Sequence, residues 1–555
     1  MARTKDETIR EVTTEYLENI DVDNPPTPAI IQADILENLH TAFEIENANK
    51  NKGEKWAYMT KLIPAQIADI LLRLYNIVNI ACAGVNADRE YDILAMYQTE
   101  GENKGIYVDS EHVFYLLAQE YCYSITKKDV QEVISLIRAK APRKVRCEDP
   151  DLIAVNNGIF DYQTKKLLPF DPEFVFMAKS KVNYNPMAYN IVLHNPDDGT
   201  DWDVESWMKE LFDDPEIEQL IWEILGAIIR PNVSWNKSAW FYSNTGNNGK
   251  GTLCELMRQL SGEGSYASIP LSDFGKDFML EPLIRATCII VDENDVGVYI
   301  DKAAILKAII TNDIIQMNRK FKQPIAYRFR GFMVQCLNEM PRIKDKSDSF
   351  YRRQLFVPFT KCFTGKERKY IKNQYLHDEA VLEYVLYKVL NMNYYSLSEP
   401  QACKNALDEY KEFNDPIRQF FNDVVERASW DIMPFALLYE MYLKWFKANN
   451  PSGTPQNRNT FINDIVVVAN QSEEWVCENQ RKQIRIGNKM SCCEPLLDEF
   501  ECKTWYNKQK SSPSYSIEDR CTPVPGQYPD RQRGIYRIGA DDDDNIIPIV
   551  IANDD

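Results

Sequence analysis

The chain has 555 residues, a formal net charge of −19 at neutral pH and 44% apolar residues, 12% of the chain being aromatic. Such a length exceeds one hydrophobic core and predicts roughly three or four domains, while the aromatic content argues against extensive disorder. The acidic balance excludes a protein that coats nucleic acid indiscriminately, since neutralising phosphate needs Lys and Arg, but it leaves room for DNA held in a narrow basic channel.

Met1-Ala2-Arg3-Thr4-Lys5-Asp6 opens no apolar run, and Ile77–Val85 is short and broken by Asn79. The expectation is therefore a soluble, cytoplasmic protein with no membrane partner. The thirteen cysteines are scattered and form no C-x-x-C pair. Two readings stay open for them: reduced, buried thiols, or a zinc site from Cys477, Cys492, Cys493, Cys502 and Cys521, whose spacing lacks the usual two-residue knuckle. His40, His112, His194 and His377 are all the histidines, and none is near another, so a histidine-based metal centre is not expected.

In chain order, 1–150 reads as a mainly helical N-terminal domain with no catalytic pattern. Its Asp21-Val22-Asp23 pair sits before Asn24-Pro25-Pro26 in a loop. The 151–230 region begins with a hairpin through Asn156-Asn157-Gly158. Two amphipathic helices follow, one carrying Val204, Trp207, Met208 and Leu211, the other starting at Asp214-Pro215 and carrying Ile217, Leu220, Ile221, Ile224, Leu225 and Ile228. The 231–365 segment holds the chemistry, 366–415 reads as a helical connector, and 541–555 as an acidic tail. The 416–540 segment predicts three helices and two basic strand-like runs, Arg481–Ile486 and Arg533–Ile538. That order fits a winged-helix-like domain or a packing domain with no ligand.

Within 231–365, the apolar run Ala239–Ser243 leads into Asn244-Thr245-Gly246-Asn247-Asn248-Gly249-Lys250-Gly251-Thr252, and an apolar helical pattern follows. Strand, glycine-rich loop, lysine and helix form the context of a phosphate-binding loop: backbone N–H groups turn onto phosphate oxygens and the ammonium reaches the β and γ phosphates. The match to G-x-x-x-x-G-K-[ST] is imperfect, with Asn244 in place of the first glycine and Gly251 in place of the Mg²⁺-binding hydroxyl, which makes Thr252 the candidate ligand. Thr287–Val291 predicts a buried strand ending in Asp292-Glu293, carboxylates placed to hold Mg²⁺ and to polarise water. Gly331–Leu337 predicts another, ending at Asn338. Tyr351-Arg352-Arg353 offers an arginine for a neighbour's γ phosphate. Arg319, Lys320, Phe321 and Lys322 lie in a stretch without acidic residues, where cations beside an aromatic suit a loop tracking single-stranded DNA.

Together these residues resemble the superfamily 3 helicases, and among them the phage and plasmid primase–helicase family that is similar to poxvirus nucleoside triphosphatases. Asn248-Gly249-Lys250-Gly251-Thr252 resembles the family's N-G-K-[SG]-T signature, Asn338-Glu339-Met340-Pro341-Arg342-Ile343 its N-x-x-P-R-I motif, and Phe350-Tyr351-Arg352-Arg353 with Phe356-Val357-Pro358-Phe359 its W-R-R…I-P-F segment. Asn157-Gly158-Ile159-Phe160-Asp161, Asp171-Pro172 and Tyr184-Asn185-Pro186 are similar to the region preceding its motor. The resemblance implies an α/β fold with an AAA+-like P-loop core and a helical collar. It also implies ATP and Mg²⁺ as cofactors, a ring, hexameric in its relatives' manner, single-stranded DNA in a central channel and a bacterial host. Lys250 would bind phosphate, Asp292 and Glu293 would handle Mg²⁺ and water, Asn338 would be sensor 1, Arg352 or Arg353 the finger in trans, and Lys320 or Lys322 the channel contact. No primase domain is recognisable, so a separate primase or single-strand-binding protein is an expected partner. The alternative is an ATP-dependent replication initiator that recruits another motor.

Overall fold

The computed structural model describes the chain except residues 1–2, 49, 83–87, 296, 298, 301, 321, 344, 450–453 and 541–555. The acidic tail thus lies outside the described residues. The chain divides into two compact units, Met1–Leu407 and Asp408–Asp555, so the division falls within the helix Gln401–Asn414. No helix among the described residues is long and apolar enough to cross a membrane.

The N-terminal region carries the expected helices, Lys5–Asn19, Pro28–Ala48, Pro64–Leu74, Glu111–Tyr121 and Lys127–Lys140. It also holds a four-stranded sheet, which the helical reading did not anticipate. Its order is Tyr107–Val108, Ile93–Tyr97, Ile77–Ala81, Arg143–Val145, antiparallel except for the last pairing. The two central strands are buried along their whole length, so their apolar runs show no alternation that would distinguish strand from buried helix. Asp21 is a loop residue: its Oδ1 accepts the backbone N–H groups of Asp23 at 3.0 Å and Asn24 at 3.2 Å, an Asx turn.

The 151–230 region forms as its pattern predicts. Leu152–Val155, Gly158–Asp161 and Lys166–Leu168 make a three-stranded meander. Asp203 caps the helix Val204–Leu211 and Asp214 caps Pro215–Ile229, each carboxylate accepting a first-turn N–H. Both helices bury their apolar faces in the cluster that covers the central sheet.

That sheet has five strands: β1 (Ser238–Tyr242), β2 (Tyr266–Ala267), β3 (Cys288–Val291), β4 (Phe332–Leu337) and β5 (Gln354–Pro358). The order is β2-β3-β4-β1-β5, and every pairing is parallel. Parallel strands need crossovers and are covered on both faces, which explains their continuous apolar runs. The helix after β1, α1 (Lys250–Ser261), packs on one face. Glu379–Asn391, expected as part of a connector, also joins this core, with Val385, Leu386 and Val389 fully buried.

In the second unit, Pro416–Asp423, Phe435–Asn449 and Arg458–Ala469 are the three expected helices. The two basic runs do not pair with each other along their length. Only Ile484–Arg485 pairs with Arg531–Gln532, while Gly534–Arg537 lies between Ile432–Pro434 and Trp475–Val476, antiparallel to both. Strands of two or three residues carry no readable period, so Ile432–Pro434 and Trp475–Val476 were silent in the sequence. Gly534 lets the sheet close, since a Cβ there would lie 2.2 Å from the Met433 carbonyl oxygen. Cys477, Cys502 and Cys521 are buried, Cys492 is exposed, and no group of three potential metal ligands occurs among the described residues.

Candidate nucleotide-binding site

Because all five strands run the same way, the loops after β1, β3 and β4 open on one edge, the usual place for ligands in an open α/β sheet. Tyr242 is registered against Leu337, and Val291 against Gln335. The glycine-rich loop, Asp292-Glu293 and Asn338 therefore emerge side by side.

Residues 243–249 form the turn from β1 into α1. Asn247 and Gly249 adopt left-handed φ angles of 52° and 89°, Asn and Gly being the residues that tolerate that region. The Thr245 hydroxyl lies 3.2 Å from that of Ser243. Asn247 donates to Glu367 Oε1 at 3.0 Å, and its carbonyl accepts the Phe363 N–H at 2.7 Å. Buried Asn248 donates its amide to the Thr245 carbonyl. Thr245, Gly246 and Asn247 are exposed. A Cβ on Gly249 would meet Leu211 Cδ2 at 2.7 Å in a backbone conformation that L side chains avoid. Gly249→Ala should therefore displace the loop, costing roughly 1–3 kcal/mol, read as a lower thermal midpoint with weakened nucleotide binding by calorimetry.

Lys250 is the first residue of α1 and is only 5% exposed. Its Nζ donates to the Leu337 carbonyl and to Asn338 Oδ1, both at 3.0 Å. Burial depresses its pKa. These acceptors are neutral, so the ammonium is desolvated without a carboxylate to balance it, a state that favours an arriving anion. Gly251 and Thr252 follow on the first turn, half-buried.

Asp292 pairs with Arg258 of α1, 2.9 Å from Nη2, and this bond holds its carboxyl below the ordinary range. Glu293 is exposed beside it. Asn294 fixes the end of β3 by donating to Gln335 Oε1 and the Cys336 carbonyl, both at 3.0 Å. A cavity of about 340 Å³ adjoins the loop, lined by Trp207, Leu211, Gly249, Thr252, Phe363 and Lys372 among others. Arg258, Asn294 and this cavity were missed from sequence. The cavity's signal was legible as the basic run Lys366–Lys372, but Arg258 and Asn294 belong to no pattern.

Arg352 and Arg353 lie elsewhere. The Arg353 carbonyl accepts the Ser238 N–H, which places both at the start of β5, the sheet edge opposite the loop. A five-residue strand spans about 17 Å, beyond reach of the same chain's loop. Arg352 is exposed, whereas half-buried Arg353 donates to the Ser349 carbonyl.

The basic stretch forms a hairpin of Ile314–Arg319 and Lys322–Arg328. Phe321 lies outside the described residues. Lys320 is exposed, and its backbone N–H donates to Glu281 Oε2 at 3.3 Å. Arg319 instead lines a cavity with Asp92, Asp109 and Glu111 of the N-terminal region, and Arg330 pairs with Glu148 at 2.7 Å. The side chain of Lys322 lies outside the described residues.

Residues 117–230 match the D5 N-terminal-like family, and residues 412–494 match the poxvirus D5 protein-like family. These segments fit a phage or viral primase–helicase-like protein, the resemblance read from the motifs. Between them, residues 241–353 match a family of unknown function, DUF5906. A putative helicase of Acanthamoeba polyphaga mimivirus, L207/L206, is 23% identical over 347 residues, 56% of this chain and 34% of the relative. The chain thus spans about a third of that relative's length. Among solved structures, the apo C-terminal region of NrS-1 superposes with a TM-score of 0.38 at 14% identity, covering 74% of this chain and 86% of that one. JCV helicase with a bound small molecule gives 0.24 at 15% identity, covering 43% and 62%.

Proposed function

We propose that this chain is an ATP-driven, ring-forming DNA helicase of superfamily 3 type, built on an AAA+-like P-loop core and working in replication of a phage or other mobile element. The buried Lys250 ammonium carries the reading: it stands on neutral acceptors at the mouth of a left-handed glycine turn, where a helix N-terminus adds positive potential.

In this reading the loop N–H groups from Thr245 to Thr252 surround the phosphates and Lys250 moves onto the β and γ oxygens. The hard oxygens of Thr252 and Asp292 suit Mg²⁺, which when bound supplies charge neutralisation on the phosphates. Asp292 is two-fifths exposed, so its Arg258 partner can be exchanged. Glu293 orients and deprotonates the attacking water, and Asn338, already bonded to Lys250, senses the γ position. The cavity beside Leu211 and Phe363 takes the nucleoside. Lys320 and Lys322 contact single-stranded DNA in the channel of a hexameric ring, and a separate primase or single-strand-binding protein completes the machinery. The three helices Pro416–Asp423, Phe435–Asn449 and Arg458–Ala469 with the antiparallel sheet of Ile432–Pro434, Gly534–Arg537 and Trp475–Val476 support a winged-helix-like domain.

ATP hydrolysis with and without single-stranded DNA tests the reading. DNA should accelerate hydrolysis several-fold, and Lys320→Ala with Lys322→Ala should lose that acceleration together with strand displacement. Undiminished unwinding by the double variant would refute the channel assignment. Hydrolysis indifferent to DNA would instead favour an assembly factor that recruits another motor.

A further inference from the structure

A short helix, Lys369–Asn373, forms one wall of the cavity that adjoins the glycine-rich loop. Two side chains hold it in place. Ile371 is buried in the core cluster, and the Tyr370 hydroxyl donates to Asp198 Oδ2 at 3.0 Å. Lys372, the next residue, reaches from this helix toward the loop. A Cβ on Gly251 would lie 3.8 Å from the Lys372 Nζ, and among the described residues no other atom from elsewhere in the fold comes within 4 Å of that point. The Lys372 ammonium therefore stands over the first turn of α1, where Gly251 puts no side chain in its way.

That is an unfavourable place for a cation. A helix N-terminus carries positive potential, and the ammonium of Lys250, the first residue of α1, is already there. Among the described residues Lys372 makes no hydrogen bond and no ion pair. The carboxylates around it are engaged elsewhere. Arg258 pairs with Asp292 at 2.9 Å and dominates that carboxyl, to which Lys372 adds a lesser influence. Arg368 pairs with Glu210. Glu367 accepts the Asn247 amide and the Gly365 N–H, both at 3.0 Å. Glu255, one turn after Gly251, faces His377 at 3.5 Å and Arg258 at 3.8 Å. The cavity wall as a whole carries four cations, Lys366, Arg368, Lys369 and Lys372, against the carboxylates Glu210 and Glu367.

We infer that Lys372 is a second phosphate-binding cation of the nucleotide site, acting within its own chain on the α and β phosphates of a nucleoside di- or triphosphate. The inference rests on the reading of this loop as a nucleotide site. Position selects the phosphates. Lys372 lines the cavity beside Thr252, between the space that takes the nucleoside and Lys250 at the β and γ end, so the polyphosphate passes under its ammonium. Two cations converging on a helix N-terminus repel each other until a polyanion arrives, and charge-assisted hydrogen bonds to phosphate then relieve the repulsion.

The test is binding of ADP with Mg²⁺ to the full chain by titration calorimetry, with thermal melting of the same samples. Lys372→Gln should weaken ADP binding by roughly tenfold or more, the scale of a lost hydrogen bond to a charged group. Without nucleotide its melting temperature should hold or rise, because a cation has left a helix N-terminus, while the rise on adding ADP should shrink. Lys372→Arg keeps the charge and should bind ADP within about threefold of the unaltered chain. Lys250→Ala is the reference for the loop itself. ADP affinity that falls in Lys250→Ala but not in Lys372→Gln would overturn the inference and leave the nucleotide site standing. Equal losses in Lys372→Gln and Lys372→Arg, with lowered melting in both, would make Lys372 a packing residue and overturn it too. ADP binding that is absent from the unaltered chain, or indifferent to both substitutions, would bring down the nucleotide site and the inference with it.

Discussion

Lys250→Ala is expected to abolish ATP hydrolysis while leaving the fold in place. The ammonium provides the charge that meets the phosphates, and removing a preorganised charge from such a site costs about 2.7–4 kcal/mol of transition-state stabilisation, a hundredfold or more in rate. The structural cost is small by comparison. Lys250 forms no salt bridge among the described residues, so its loss strands no buried carboxylate. It leaves the Leu337 carbonyl and Asn338 Oδ1 to find water, a change of roughly 1–3 kcal/mol. Steady-state hydrolysis and thermal melting, measured on the same preparation, separate the two effects. A variant that melts normally and still hydrolyses ATP would remove Lys250 from the chemistry.

Arg352→Ala should be nearly as damaging, for a different reason. An arginine stabilising phosphoryl-transfer charge contributes on the order of 10³-fold or more, and this one stands on the sheet edge opposite its own loop. If it works, it works on a neighbour. Mixing therefore becomes diagnostic. Lys250→Ala and Arg352→Ala, each inactive alone, should recover part of the activity together, because some interfaces then pair an intact Lys250 with an intact Arg352. Arg353→Ala should behave otherwise, lowering the melting temperature with a lesser effect on turnover, since its side chain holds the 348–351 turn through the Ser349 carbonyl. Mixtures that stay inactive would exclude catalysis across a subunit boundary.

The core and its motifs were legible because they carry long patterns. The apolar runs of β1, β3 and β4, the glycines after β1 and the capping residues Asp203 and Asp214 all announce geometry locally. What stayed hidden had no local signature. The N-terminal sheet is buried along its central strands, so no alternation marked it. The strands at Ile432 and Trp475 are too short for a period. Arg258 meets Asp292, and Asn294 meets Gln335, only because the strand order brings separate stretches together. The hairpin cations were visible as a run, but not the fact that Arg319 and Arg330 face acidic groups of the N-terminal region.

The position of β1 also bears on how the chain is made. Its only sheet neighbours are β4 and β5, which leave the ribosome roughly a hundred residues later, a delay of about 5–20 s at ordinary elongation rates. During that interval an apolar strand bearing Trp240 and Phe241 has both edges unpaired, the condition under which strands join wrong partners. The amphipathic helices Val204–Leu211 and Pro215–Ile229 precede it and share its cluster. They are already made when β1 appears, and can shelter it as a built-in chaperone until its strands arrive.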